Sequence, residues 1–71
     1  MISENYDYKP GIYHTEKYKL IHYYSSKPGY ELYNASTWFG AVNLAVSLIR
    51  NKGGKVDIYS ENGNKVAYYS D

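Results

Sequence analysis

His14 and His22 are the only imidazoles in this chain, and its seven carboxylates, Glu4, Asp7, Glu16, Glu31, Asp57, Glu61 and Asp71, are scattered from end to end. These are the side chains that could hold a metal ion or move a proton. A metal site needs three or four convergent ligands. The two histidines stand eight residues apart, with no Cys and no tight carboxylate cluster beside them. They read as structural or surface groups. Acid–base chemistry needs a selected carboxylate, and no spacing here selects one. Gly53-Gly54 follows a helical pattern, whereas glycines that cradle phosphate precede a helix. No serine sits in a nucleophile motif. Catalytic, cofactor-binding and metal residues are therefore all assigned as none, and the chain reads as non-enzymatic.

Tyrosine is the compositional anomaly, with eleven among 71 residues. Tyr has high strand propensity and fits half-buried pleated surfaces, so part of this number is core. Eleven are too many for one small core. Tyr also combines a large rigid contact area with a hydroxyl, which is why it is enriched at binding surfaces beside Ser, Asn and Gly. Tyr23, Tyr33, Tyr59 and Tyr68 fall on the strand faces expected to meet solvent, and we expect them to bind a partner. Stacking nucleic-acid bases on them would need a basic track. Lys17, Lys19 and Lys65 begin one, but Glu16, Glu31 and Asp57 dilute it, and the net charge is only +1. A protein partner is the leading expectation. A single-stranded nucleic-acid binder is the alternative, and an enzyme subunit the third reading.

The elements that must position these side chains are legible from punctuation. Lys9-Pro10-Gly11 and Lys27-Pro28-Gly29 are turn signals, and Asn62-Gly63 is a hairpin signal. Between them, Glu16 to Tyr24, Tyr30 to Ala35 and Lys55 to Ser60 read as strands, with a further strand after Asn62-Gly63. A two-residue Asn-Gly loop would pair Tyr59 with Val66, placing Val56, Ile58, Ala67 and Tyr69 inside and Tyr59, Val66 and Tyr68 outside. A five-residue loop, Ser25 to Gly29, would put Leu20, His22, Tyr24, Tyr30 and Leu32 on one face. Ile21, Tyr23, Glu31 and Tyr33 would take the other.

Thr37 to Lys52 is the one helical pattern, with Ser36 or Thr37 as N-cap, Arg50 and Lys52 in the last turn and Gly53 as the stop. Its apolar residues, Trp38, Phe39, Ala41, Val42, Leu44, Ala45, Val46, Leu48 and Ile49, span roughly 220°, wider than one packed stripe needs. Either the N-terminal segment folds over this surface or another chain does. We expect a homodimer, with Phe39, Val46 or the outer tyrosines at the contact.

The stretch from Thr37 to Val66 resembles a family of small uncharacterised bacterial proteins built as strand, strand, helix, strand. Thr37, Ala41, Ala45 and Leu48 match its capped helix with spaced alanines. Gly53-Gly54, Val56 and Ile58 match the following strand, and Asn62-Gly63 with Lys65-Val66 the turn. The family's helix is usually charged outside, and its tryptophan usually lies in the preceding strand rather than at Trp38. The resemblance implies a topology and no function.

We thus expect one small α+β domain over residues 1–71: two β-hairpins flanking one helix, in a four-stranded, mostly antiparallel sheet with the helix on one face. Residues 1–15 form an arm or a short extra strand. The absence of Cys fits a reducing compartment, Met1 to Asn5 lack signal-peptide character, and Asn34-Ala35-Ser36 is then a chance sequon. The longest uncharged run, Leu32 to Ile49, is broken by polar residues and makes a poor membrane span. The cytoplasm is the expected location. Abundant Lys, Asn, Ile and Tyr, all with AT-rich codons, point to an AT-rich bacterium or its phage. A phage- or plasmid-encoded modulator of a host protein is the role this suggests.

Overall fold

Strand alternation and one capped helix account for the architecture. The computed structural model describes residues 2–6 and 17–71. Over them the chain forms β1 (Ser3–Tyr6), β2 (Tyr18–Tyr23), β3 (Tyr30–Ala35), α1 (Trp38–Lys52), β4 (Lys55–Ser60) and β5 (Lys65–Ser70). The sheet order is β1-β5-β4-β2-β3 with every neighbouring pair antiparallel. This is the expected α+β fold, two hairpins flanking one helix. Ser3–Tyr6 forms a strand beside β5, and the rest of the expected arm, residues 7–15, lies outside the described residues. The Lys9-Pro10-Gly11 turn, His14 and Glu16 lie outside the described residues.

Local signals set the helix ends. The Thr37 hydroxyl accepts the Gly40 N–H at 2.9 Å, satisfying one orphan donor of the first turn. At the exit, Gly53 takes φ 70° and its N–H donates to the Ile49 carbonyl at 2.8 Å. Ala41, Ala45, Leu48 and Ile49 are buried in one core cluster with Tyr18, Leu20, Val56, Ile58, Ala67 and Tyr69. The two alanines let the helix backbone approach the sheet closely. Trp38 adds a tilted ring contact to Tyr18, with centroids 5.6 Å apart. The fully buried residues occupy an arc of about 100°, the width of an ordinary packed stripe. Trp38, Val42, Leu44 and Val46 are half-buried, and Phe39 is 75% exposed. The sheet covers the centre of the apolar arc and leaves its flank open.

Two details of register differ from expectation. In the first hairpin, the Tyr24 N–H donates to the Gly29 carbonyl at 3.3 Å, closing a loop of Ser25 to Pro28, one residue shorter than expected. Tyr24 packs at the loop in a T-shaped contact with the His22 ring, centroids 5.5 Å apart, and under Lys27, whose Nζ lies 4.6 Å from its ring centroid. Tyr23 therefore pairs with Tyr30 and Leu20 with Tyr33. The shift reverses the faces of β3. Glu31, Tyr33 and Ala35 join Leu20 and His22 on the helix side, while Tyr30 and Leu32 turn outward.

In the second hairpin, the Ser60 N–H donates to the Asn64 carbonyl and the Gly63 N–H to the Ser60 carbonyl, enclosing Glu61, Asn62 and Gly63. That is a three-residue loop with Gly63 in the left-handed region at φ 85°. It pairs Tyr59 with Lys65 rather than with Val66. Ile58 nevertheless pairs with Ala67, so Val66 is the extra residue of a bulge, and it is fully buried rather than outside. Beyond the bulge the expected register returns, with Val56 opposite Tyr69.

Candidate functional site

The period of two along a strand places Tyr23 of β2, Tyr59 of β4 and Tyr68 of β5 together on the sheet face away from α1. Three of the four tyrosines expected at a binding surface thus share a face. Tyr33 does not. The shorter first loop turns it to the helix side, where it is half-buried against the core. Tyr30 and Leu32 take its place outside, 60% and 68% exposed. No sequence signal distinguished the two faces of β3, because Tyr30, Leu32 and Asn34 are no more polar than Glu31, Tyr33 and Ala35.

Asp57 lies at the centre of the outer face, opposite Ile21 on β2 and Tyr68 on β5. It is only 4% exposed. A buried carboxylate needs compensating charge, and Lys55 and Lys65 supply it, with Nζ atoms 3.5 and 3.4 Å from its Oδ1. The same ammonium groups lie over aromatic rings. Lys65 Nζ is 4.7 Å from the Tyr68 centroid, and Lys55 Nζ is 5.4 Å from Tyr68 and 5.9 Å from Tyr23. Tyr23 in turn makes a tilted contact with Tyr30, centroids 6.2 Å apart. Burial, and then the negative charge of Asp57, push the Tyr23 hydroxyl above the usual tyrosine value, so it stays a hydrogen-bond donor. The signal for this cluster was present in part: Lys55 and Asp57 are two apart on one strand, hence on one face.

Beside the cluster, a groove of about 430 Å³ runs between β3, β2 and β4. Ile21, Leu32 and Tyr59 line it together with Lys19, Asn34 and Glu61. Aromatic side chains, an apolar groove and polar groups thus stand side by side on this face.

A second polar cluster lies on the opposite side, at the C-terminal end of α1. Lys52 Nζ donates to Glu31 Oε1 at 3.0 Å and to the Tyr33 hydroxyl at 3.4 Å. The Lys52 hydrogen bond holds the Glu31 carboxyl below its usual value, and Glu31 raises Lys52 in return. Partial burial and the Glu31 charge raise Tyr24 beside them. Fully buried His22 donates from Nε2 to the Gly53 carbonyl oxygen at 2.8 Å, and its Nδ1 lies 3.6 Å from Glu31 Oε1. The cluster fastens the helix end to β2 and β3.

No family model, curated protein or solved structure matches the chain. Among the described residues, no group of His, Asp and Glu is placed to hold a metal ion, and no helix is long and apolar enough to cross a membrane.

Proposed function

We propose that this chain is a non-enzymatic protein-binding module whose contact surface is the open face of the sheet. Tyr23, Tyr59 and Tyr68 form it, joined by Tyr30 and Leu32. The observation that carries the reading is the exposure of Tyr30, Leu32, Tyr23 and Tyr68 on one face, the last two at 36% and 37%. Tyr23 and Tyr30 are in ring contact, and exposed apolar clusters commonly mark docking surfaces.

Protein is favoured over single-stranded nucleic acid by the state of the lysines. Lys55 and Lys65 share the Asp57 carboxylate, so the three groups together carry one net positive charge. A phosphate track needs several unneutralised cations along a groove. In our reading the protein acts in the cytoplasm as a homodimer. A phage- or plasmid-encoded modulator of a host protein fits its size and its AT-biased composition. The test is capture from a host lysate by the parent and by Tyr68→Ala, with and without nuclease. A partner held through nuclease treatment and lost with Tyr68→Ala supports the reading. Capture abolished by nuclease moves the face to nucleic acid.

A further inference from the structure

β3 ends the sheet, and no described strand pairs with its outer edge. The hairpin fixes which peptide groups point there. The Tyr24 N–H donates to the Gly29 carbonyl, so Gly29 faces β2. Antiparallel alternation turns the backbone of Glu31, Tyr33 and Ala35 the same way. The N–H and C=O groups of Tyr30, Leu32 and Asn34 therefore point away from the sheet. Natural edges are blunted by Lys, Pro, a bulge or an inward charge. β3 reads Tyr-Glu-Leu-Tyr-Asn-Ala and keeps an unbroken register against β2. Its one charge, Glu31, is on the helix side and tied to Lys52. Among the described residues this edge is unpaired, and Tyr30 and Leu32 are exposed on its outer face.

We propose that β3 pairs antiparallel with β3 of a second copy, about a two-fold axis at Leu32. In that register Leu32 meets its own counterpart, and Tyr30 of each copy stands opposite Asn34 of the other. All three outward peptide groups of each strand then bond across the axis. On the helix side, Glu31 falls opposite Tyr33 of the second copy, so no like charges meet there. An axis at Glu31 would set two like charges directly opposite, which is destabilising. An axis at Tyr33 would carry Tyr30 past the end of the strand. The strand is its own complement at Leu32, which is why a second copy is the occupant. The inference rests on the homodimer reading and names its surface. The two outer faces then join into one platform with Tyr30 and Leu32 at its centre.

Leu32→Pro tests this selectively, because Pro is tolerated on an edge where the lost N–H is not used within the sheet. Leu32→Glu serves if the proline variant does not fold, since it places two carboxylates across the axis. Phe39→Ser probes the open flank of α1 instead. Sedimentation equilibrium should show a parent dimer, both Leu32 variants as folded monomers, and Phe39→Ser still dimeric. Amide exchange at Tyr30, Leu32 and Asn34 should slow by about tenfold or more from micromolar to millimolar protein. A dimer that survives Leu32→Glu, or is lost only with Phe39→Ser, overturns the strand pairing and leaves the homodimer standing. A parent that stays monomeric at millimolar concentration overturns both.

Discussion

The imidazole of His22, on the second strand, donates from Nε2 to the carbonyl oxygen of Gly53, the residue that ends the helix, at 2.8 Å. This bond ties the sheet to the helix exit, and the donor is fully buried. Leu is close to His in volume but cannot donate, so His22→Leu leaves the Gly53 oxygen without its partner. We expect a loss of about 1–3 kcal/mol in urea denaturation, the cost of an unmade buried hydrogen bond. A change under about 0.5 kcal/mol would assign the histidine a packing role alone.

The glycines separate close approach from backbone conformation. A Cβ on Gly54 would collide with the Tyr23 carbonyl oxygen, and its φ is 86°, whereas Gly63 at φ 85° has open space around it. Gly63→Val should therefore cost roughly 1 kcal/mol or more, through conformation only. Gly54→Val should cost clearly more, since the second and fourth strands must separate to admit it. Paired thermal melts decide, and equal losses would argue against the close contact.

Tyr30 and Tyr33 report the register of the first hairpin. Tyr33→Ala removes packing against the core and a hydrogen bond to Lys52, and should lower stability by about 1–2 kcal/mol. Tyr30→Ala, on the open side, should stay within about 0.5 kcal/mol. The reverse order of the two losses would restore the longer loop.

Binding should respond in the opposite sense. Tyr30→Ala and Tyr68→Ala should weaken capture of the partner by about 2 kcal/mol or more, as central aromatic residues do at interfaces, while Tyr33→Ala should not. Titration at about 50 and 200 mM salt identifies the partner class. Affinity nearly independent of salt fits neutral tyrosines meeting protein, whereas a steep fall fits phosphate contacts.

The Glu31–Lys52 pair should shape stability at both ends of the pH range. Glu31 is depressed in the folded state, chiefly by the Lys52 hydrogen bond, so its contribution is present above the ordinary carboxylate value of 4.5 and is lost as pH falls through the folded value. Lys52 is raised, chiefly by hydrogen bonding to Glu31, so its contribution is complete below 10.5 and is lost as pH rises through the folded value. Between those limits the pair adds no pH dependence. Glu31→Gln should flatten the acid limb of a stability–pH curve relative to the parent. An unchanged acid limb would place the loss on another carboxylate.

Element positions were legible in the residues themselves, because the signals that set them are local. Thr37 caps and Gly53 stops the helix within one turn of its ends, and alternation over Lys55 to Ser60 assigns a strand without reference to any neighbour. The two-hairpin order and the pairing of Val56 and Ile58 with Tyr69 and Ala67 followed from the same patterns. What only the tertiary structure decided is parity. Side chains alternate with a period of two, so a loop one residue shorter moves a whole strand face from solvent to core. Tyr24 sets the first loop by packing against His22 and Lys27, and that sends Tyr33 inward and Tyr30 and Leu32 outward. The bulge that buries Val66, and the two lysines that let Asp57 sink into the outer face, are likewise agreements between strands. Local patterns say where a strand runs; the contacts it makes across the sheet say which way its side chains point.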